Sequence, residues 1–75
     1  MNTTFTAVES SQITGYAYDA RTSTLKVKFT RGGVYEYQGV EPHVVEHVFQ
    51  STSVGSAFSS TIKKNPSKYP FTKIG

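Results

Sequence analysis

Apolar and polar positions alternate most regularly from Leu25 to Phe29, where Leu25, Val27 and Phe29 interleave with Lys26 and Lys28. A period of two puts the three apolar side chains on one face of a strand and the lysines on the other, which predicts a half-buried β-strand. Short β-type runs begin upstream at Ile13. Tyr16-Ala17-Tyr18 is one of them, ended by the turn-forming Asp19-Ala20-Arg21-Thr22. Downstream, Thr30-Arg31-Gly32-Gly33 supplies glycines able to take φ > 0 and predicts a tight hairpin. Val34-Tyr35-Glu36-Tyr37-Gln38 then returns as a third strand with both tyrosines on one face. Three strands with short connections make an antiparallel meander.

The period changes at Pro42, a residue favoured at the first position of a helix. Val44, Val45, Val48 and Phe49 form a stripe along one side of that helix, and His43, Glu46 and His47 point away from it. Ser53 is the expected N-cap of a second helix whose inner face is Val54, Ala57, Phe58, Thr61 and Ile62. Lys63 and Lys64 stand at its C-terminal end, where the helix dipole favours cations, and Asn65-Pro66 stops it. Residues 1–9 carry little apolar content and read as an N-terminal arm, either frayed or added as an edge strand. The tail, Tyr69 to Ile74, is apolar enough to dock back on the domain. The expected fold is therefore α+β: a three-stranded antiparallel meander followed by two short helices packed on one face (βββαα), with a docked C-terminal tail, forming one domain over 10–75. The uncovered sheet face or an edge is where a partner or ligand is expected.

The chain has 75 residues and no cysteine, so its thin core has neither a disulfide nor a thiolate metal site to support it. With His43 and His47 as the only histidines, a structural zinc set is incomplete. Self-association is the remaining device, and a homo-oligomer is expected. No run approaches signal-peptide or membrane length, so the expected setting is cytoplasmic, with no membrane partner. Lys and Arg number 8 against 5 Asp and Glu, a net charge of +3 that favours phosphate-bearing partners. Clustered serines and threonines suit turns and caps, and equally suit phosphate oxygens.

Several residues together resemble a known family. Ser10-Ser11 with Ile13, Tyr18-Asp19 and Leu25-x-Val27-x-Phe29 come first, followed by Tyr35-x-Tyr37 and Val40. Ser53-x-Gly55 with Phe58 and Ile62 comes next, and the aromatic pair Tyr69 and Phe71 closes the set. In this order, over most of the chain, they resemble the KTSC domain, named for the C-terminus of some lysyl-tRNA synthetases. The link Lys64-Asn65-Pro66-Ser67-Lys68 is longer than the family pattern. The resemblance implies a small α+β domain, free-standing or appended to larger proteins, with RNA binding suggested by the tRNA-handling association.

Catalytic chemistry finds little footing. His43-Val44-Val45-Glu46-His47 matches the H-x-x-E-H of inverted zinc peptidases, but those need a third ligand and a larger fold. There is no nucleophile elbow, phosphate-binding loop or thiol nucleophile, and the carboxylates are unpaired at motif spacing. The expectation is a non-enzymatic domain with no catalytic residues, no metal and no cofactor. Its expected role is to bind a phosphate-bearing ligand, either RNA or a small or cyclic nucleotide. Ser53, Gly55 and Ser56 would lie at a helix N-terminus with free N–H groups, and Arg31, Lys63 and Lys64 would add charge. Tyr35 and Tyr37 would either stack on a base or enter the core, the core being preferred because a covered sheet face takes large apolar bodies. An oligomer sequestering a nucleotide, as a phage would use, is one form of this expectation. The other class is a protein-interaction or assembly module working through an open sheet edge or face.

Overall fold

The computed structural model describes residues 5–75. Its elements are β1 (Thr6–Ala7), β2 (Ile13–Asp19), β3 (Thr24–Phe29), β4 (Val34–Tyr37), α1 (Pro42–Phe49), α2 (Val54–Phe58) and β5 (Phe71–Lys73), with a π-helical segment Ser59–Lys63 continuing α2. The meander and both helices lie where the residue pattern puts them. The sheet, however, has five antiparallel strands in the order β1-β2-β3-β4-β5, not three. Thr6–Ala7 adds to the outer edge of β2, and the tail adds to β4 through the pairs Tyr35–Lys73, Glu36–Thr72 and Tyr37–Phe71. The tail docks by hydrogen bonding as a strand because β4 would otherwise leave its outward N–H and C=O groups unpaired beside a core strand.

Register explains which side is covered. Tyr16 is opposite Val27, and Val27 is opposite Tyr35; Tyr18 is opposite Leu25, and Leu25 is opposite Tyr37. These rows share the face that both helices cover. Val44, Val45 and Val48 of α1 are buried, and Phe49 stacks on Tyr16 with ring centroids 3.9 Å apart. From α2, Phe58 meets Tyr37 and Phe29 edge-on at 5.4 and 5.7 Å. Ala17, Lys26, Glu36 and Thr72 run across the opposite, uncovered face.

Glycines make the hairpin. Gly32 and Gly33 have φ of 97° and 94°, and the Gly32 N–H donates to Phe29 O at 3.0 Å. Pro42 begins α1 without a side-chain cap from Glu41. Ser53 occupies the N-cap of α2, but its hydroxyl makes no cap bond; its N–H donates instead to Ser51 Oγ at 3.2 Å. The ladder then widens to π spacing where the Ser60 hydroxyl donates to Ser56 O at 3.0 Å. The long link after the helix is compact: Asn65 O accepts from Lys68 N and Tyr69 N, and Asn65 Nδ2 donates to Thr61 O. Buried Tyr69 donates to Glu41 Oε1 at 3.3 Å and ties the link to the start of α1. Glu41 is held below the ordinary carboxylate range by a hydrogen bond from its own backbone, helped by Lys68, Tyr69 and His43.

Tyr37 is only 4% exposed. Burial pushes its phenol above the ordinary value of 10.0, and the neighbouring Tyr35 adds to the shift. A group whose folded pKa is raised contributes its stability fully below the unfolded pKa and loses it as pH rises through the folded value. The alkaline loss of stability above pH 10 is therefore expected to shrink in Tyr37→Phe, which has no phenolate to expose. Urea midpoints at pH 8 and pH 11 test this: the drop between them should be smaller in the variant than in the parent, and an equal drop contradicts it.

Candidate functional site

The loop before β2 and the turn between α1 and α2 face each other across a small cleft. On the first wall, Gln12 N donates to Ser10 Oγ at 3.2 Å, and Thr30 N donates to Gln12 O at 2.9 Å. The loop is thereby fixed to the β3–β4 hairpin. On the second wall, Ser51 Oγ accepts from Ser53 N, and Ser53 O accepts from Ala57 N to start α2. Buried Gly55 lies between the walls: a Cβ there would stand 3.2 Å from Ser10 Oγ and 3.3 Å from Gln12 Cδ and Oε1. Its φ is not positive, so space and not conformation calls for glycine here.

The cleft is about 240 Å³, lined by Ser10, Ser11, Gln12, Thr52, Ser53 and Ser56, with Glu9, Val54 and Gly55 completing it. Its surface is dominated by hydroxyls. A hydroxyl oxygen that accepts a backbone N–H, as Ser10 does, keeps its own O–H to donate. This is a donor-rich setting for an anionic oxygen, opposed only by Glu9. The volume is below the roughly 300–1,000 Å³ that engulfs a drug-sized ligand. It can admit a phosphate group, and a larger ligand would extend over the surface.

The eight candidate residues do not converge on one point. Ser53, Gly55 and Ser56 line the cleft. Gly55's open side is taken by the chain's own Ser10 and Gln12, so no foreign phosphate replaces a missing Cβ. Arg31 is the residue after Thr30, which bonds the cleft wall at Gln12. Lys63 and Lys64 are exposed at the far end of the second helix, roughly 12 Å along its axis from Gly55. Tyr37 is enclosed by Phe58 and Phe71, and Tyr35 is half-buried between Phe29 and Phe71. Both lie on the covered face, as the core reading of that strand requires. Gln12 carried no signal of its own, whereas Thr52 belongs to the hydroxyl-rich run Ser51–Ser56, and Ser10-Ser11 and Ser53-x-Gly55 both stand in the family pattern.

A second, shallow concavity of about 460 Å³ lies over the solvent side of α1, lined by His43, Glu46, His47, Gln50 and Ser51. Among the described residues, no three His, Cys, Asp or Glu side chains come together to hold a metal ion. No helix among them is long and apolar enough to cross a membrane.

The family model of the KTSC domain matches residues 9–69. The chain belongs to the KTSC domain family. A crystal structure of a KTSC domain protein from Yersinia pestis superposes on this KTSC domain with a TM-score of 0.88 at 30% identity, covering 99% of this chain and all of the other. An "uncharacterized protein" of Stutzerimonas stutzeri is 32% identical over 68 residues, 91% of this chain and 93% of the relative. The KTSC domain is also 36% identical over 66 residues to a lysine–tRNA ligase of Nostoc punctiforme, covering 88% of this chain but only 11% of the ligase.

Proposed function

We propose that this KTSC domain is a non-catalytic module that binds the phosphate backbone of RNA at the cleft around Gly55. The observation that carries the reading is the hydroxyl lining of the cleft, and Arg31 follows in sequence the Thr30 that bonds its wall. Ser11, Gln12, Thr52, Ser53 and Ser56 are exposed, which favours a polymer lying across the surface over a mononucleotide enclosed in a pocket. Lys63 and Lys64 extend the basic surface beyond the cleft, within reach of further phosphates. The occurrence of a similar segment in a lysine–tRNA ligase is in keeping with an RNA partner. The net charge of +3 supplies the long-range attraction.

Fluorescence anisotropy with a labelled oligouridylate tests the reading. Binding is expected to weaken steeply with salt, since each phosphate contact on a single strand contributes about −0.7 to the slope of log K against log salt. Arg31→Ala is expected to lower affinity several-fold and flatten that slope by about one contact. Alanine at Arg31, Lys63 and Lys64 together should remove most of the salt-dependent binding. Unchanged affinity in the triple variant contradicts the proposal. Tighter binding of adenosine monophosphate than of the oligonucleotide would point instead to a small-nucleotide site.

A second reading has its own observation. Phe71 and Ile74 are 52% and 48% exposed, on or beside the edge strand β5, in keeping with an assembly module.

A further inference from the structure

We infer that β5 pairs with β5 of a second copy of this chain, Thr72 facing its counterpart across a twofold axis. The proposal is independent of the phosphate reading. Among the described residues, β5 ends the sheet and is paired on one side only. Gln38 N donates to Pro70 O at 2.9 Å, and Ile74 N donates to Val34 O at 2.8 Å. Pro70 and Ile74 therefore point backbone groups inward, as does Thr72 between them, opposite Glu36. By the alternation of an antiparallel strand, Phe71 and Lys73 turn their N–H and C=O groups outward. The two large hydrophobic side chains that stand exposed among the described residues, Phe71 and Ile74, belong to this same edge and project to opposite faces of the sheet. A single exposed apolar side chain needs no explanation. A pair on both sides of one open edge is what lateral strand addition covers.

Charge and packing select a second copy and its register. With the twofold axis at Thr72, Phe71 of each copy faces Lys73 of the other, and the outward groups close four hydrogen bonds. Each lysine stem and ammonium then lies beside an aromatic ring. An axis at Lys73 would set two ammonium groups directly opposite, which is unfavourable. An axis at Phe71 would draw Tyr69 into the ladder, and Tyr69 is 2% exposed with its hydroxyl on Glu41. An isologous contact uses the edge up and closes at two copies. Three paired residues bury well under the roughly 800 Å² per partner of a standard interface, so the dimer dissociates on dilution.

The chain has no cysteine, so Thr72→Cys installs a single thiol. Directly opposed residues of an antiparallel pair have Cβ atoms about 4.5–5.5 Å apart, close to disulfide range. Mild oxidation at high protein concentration is expected to cross-link Thr72→Cys into a covalent dimer at least tenfold faster than Lys73→Cys, whose thiols stand two residues out of register. Thr72→Asp, which sets two carboxylates face to face, is expected to weaken dimerisation at least tenfold in sedimentation velocity with an unchanged circular dichroism spectrum. Equal cross-linking at 72 and 73, or a wild-type protein that is monomeric at millimolar concentration, overturns the proposal. So does loss of oligonucleotide binding by Thr72→Asp in protein that is monomeric before and after the change, since the edge would then be a nucleic-acid surface.

Discussion

Phe58→Ala is expected to cost about 3–5 kcal/mol, the range for truncating a fully buried aromatic side chain. Phe58 is 1% exposed, and its ring is the contact through which the second helix meets both β3 and β4, at Phe29 and Tyr37. The domain has few means of absorbing the loss. A chain of this length has a total stability of about 4–11 kcal/mol, and no disulfide holds it together. Urea unfolding followed by circular dichroism should show the midpoint falling by about 2 M or more, or no folded baseline at all. Phe71→Ala is the control: its ring touches Tyr35 and Tyr37 but is 52% exposed, so its cost should stay near 1 kcal/mol. Similar costs for the two substitutions would mean that Phe58 is not the keystone between helix and sheet.

Gly55→Val carries the second large effect, because it acts on stability and on the cleft together. Two terms of opposite sign meet at this position. Replacing a helical glycine by alanine gains about 0.5–1 kcal/mol of backbone entropy. Against that, the new Cβ would stand 3.2 Å from Ser10 Oγ and 3.3 Å from Gln12, closer than ordinary contact. For alanine the two roughly offset, and stability should stay within about 1 kcal/mol of the parent. Valine adds two methyl groups against the same wall, an overpacking that costs about 1–3 kcal/mol. The Ser10–Gln12 segment must then move off the helix, carrying Ser10 and Ser11, two of the five lining hydroxyls, with it. Valine should therefore destabilise the fold and abolish oligonucleotide binding, whereas alanine retains a folded domain. A valine variant as stable as the parent and still binding would mean that the loop does not pack on Gly55.

Much of this architecture was legible in the residue pattern, and the reasons differ by element. Leu25, Val27 and Phe29 alternate with lysines because β3 has one covered face and one open face. The valine stripe of α1 and the proline that begins it were equally plain. β5 was not read as a strand because three residues behind Pro70 are too short to display a period. What makes Phe71–Lys73 a strand is the unpaired side of β4, a tertiary demand. The same holds at β1, where Thr6 and Ala7 of the expected arm pair with Tyr16 and Gly15 as an edge strand; residues 1–4 of that arm lie outside the described residues.

The cleft was only half legible. Ser53, Gly55 and Ser56 are neighbours in the chain, so their proximity was evident, but Ser10 and Gln12 reach them only through folding. Ser53 occupies the expected N-cap position, yet the expected cap bond is absent, and its backbone at φ −129° and ψ 78° departs from the extended conformation of an N-cap. Lys63 and Lys64 stand at the C-terminal end of the second helix, as the residue pattern placed them, and the π segment Ser59–Lys63 leads the chain to them and away from the serines at its start.

Whether the hydroxyl-lined cleft holds phosphate is tested most directly by following backbone amide resonances of the ¹⁵N-labelled protein during titration with an oligouridylate. Binding at the cleft predicts saturable shifts concentrated at Ser10–Gln12, Thr52–Ser56 and Arg31, reduced by added salt. Shifts confined to β5 and the uncovered sheet face, or no shifts at millimolar oligonucleotide, would contradict it.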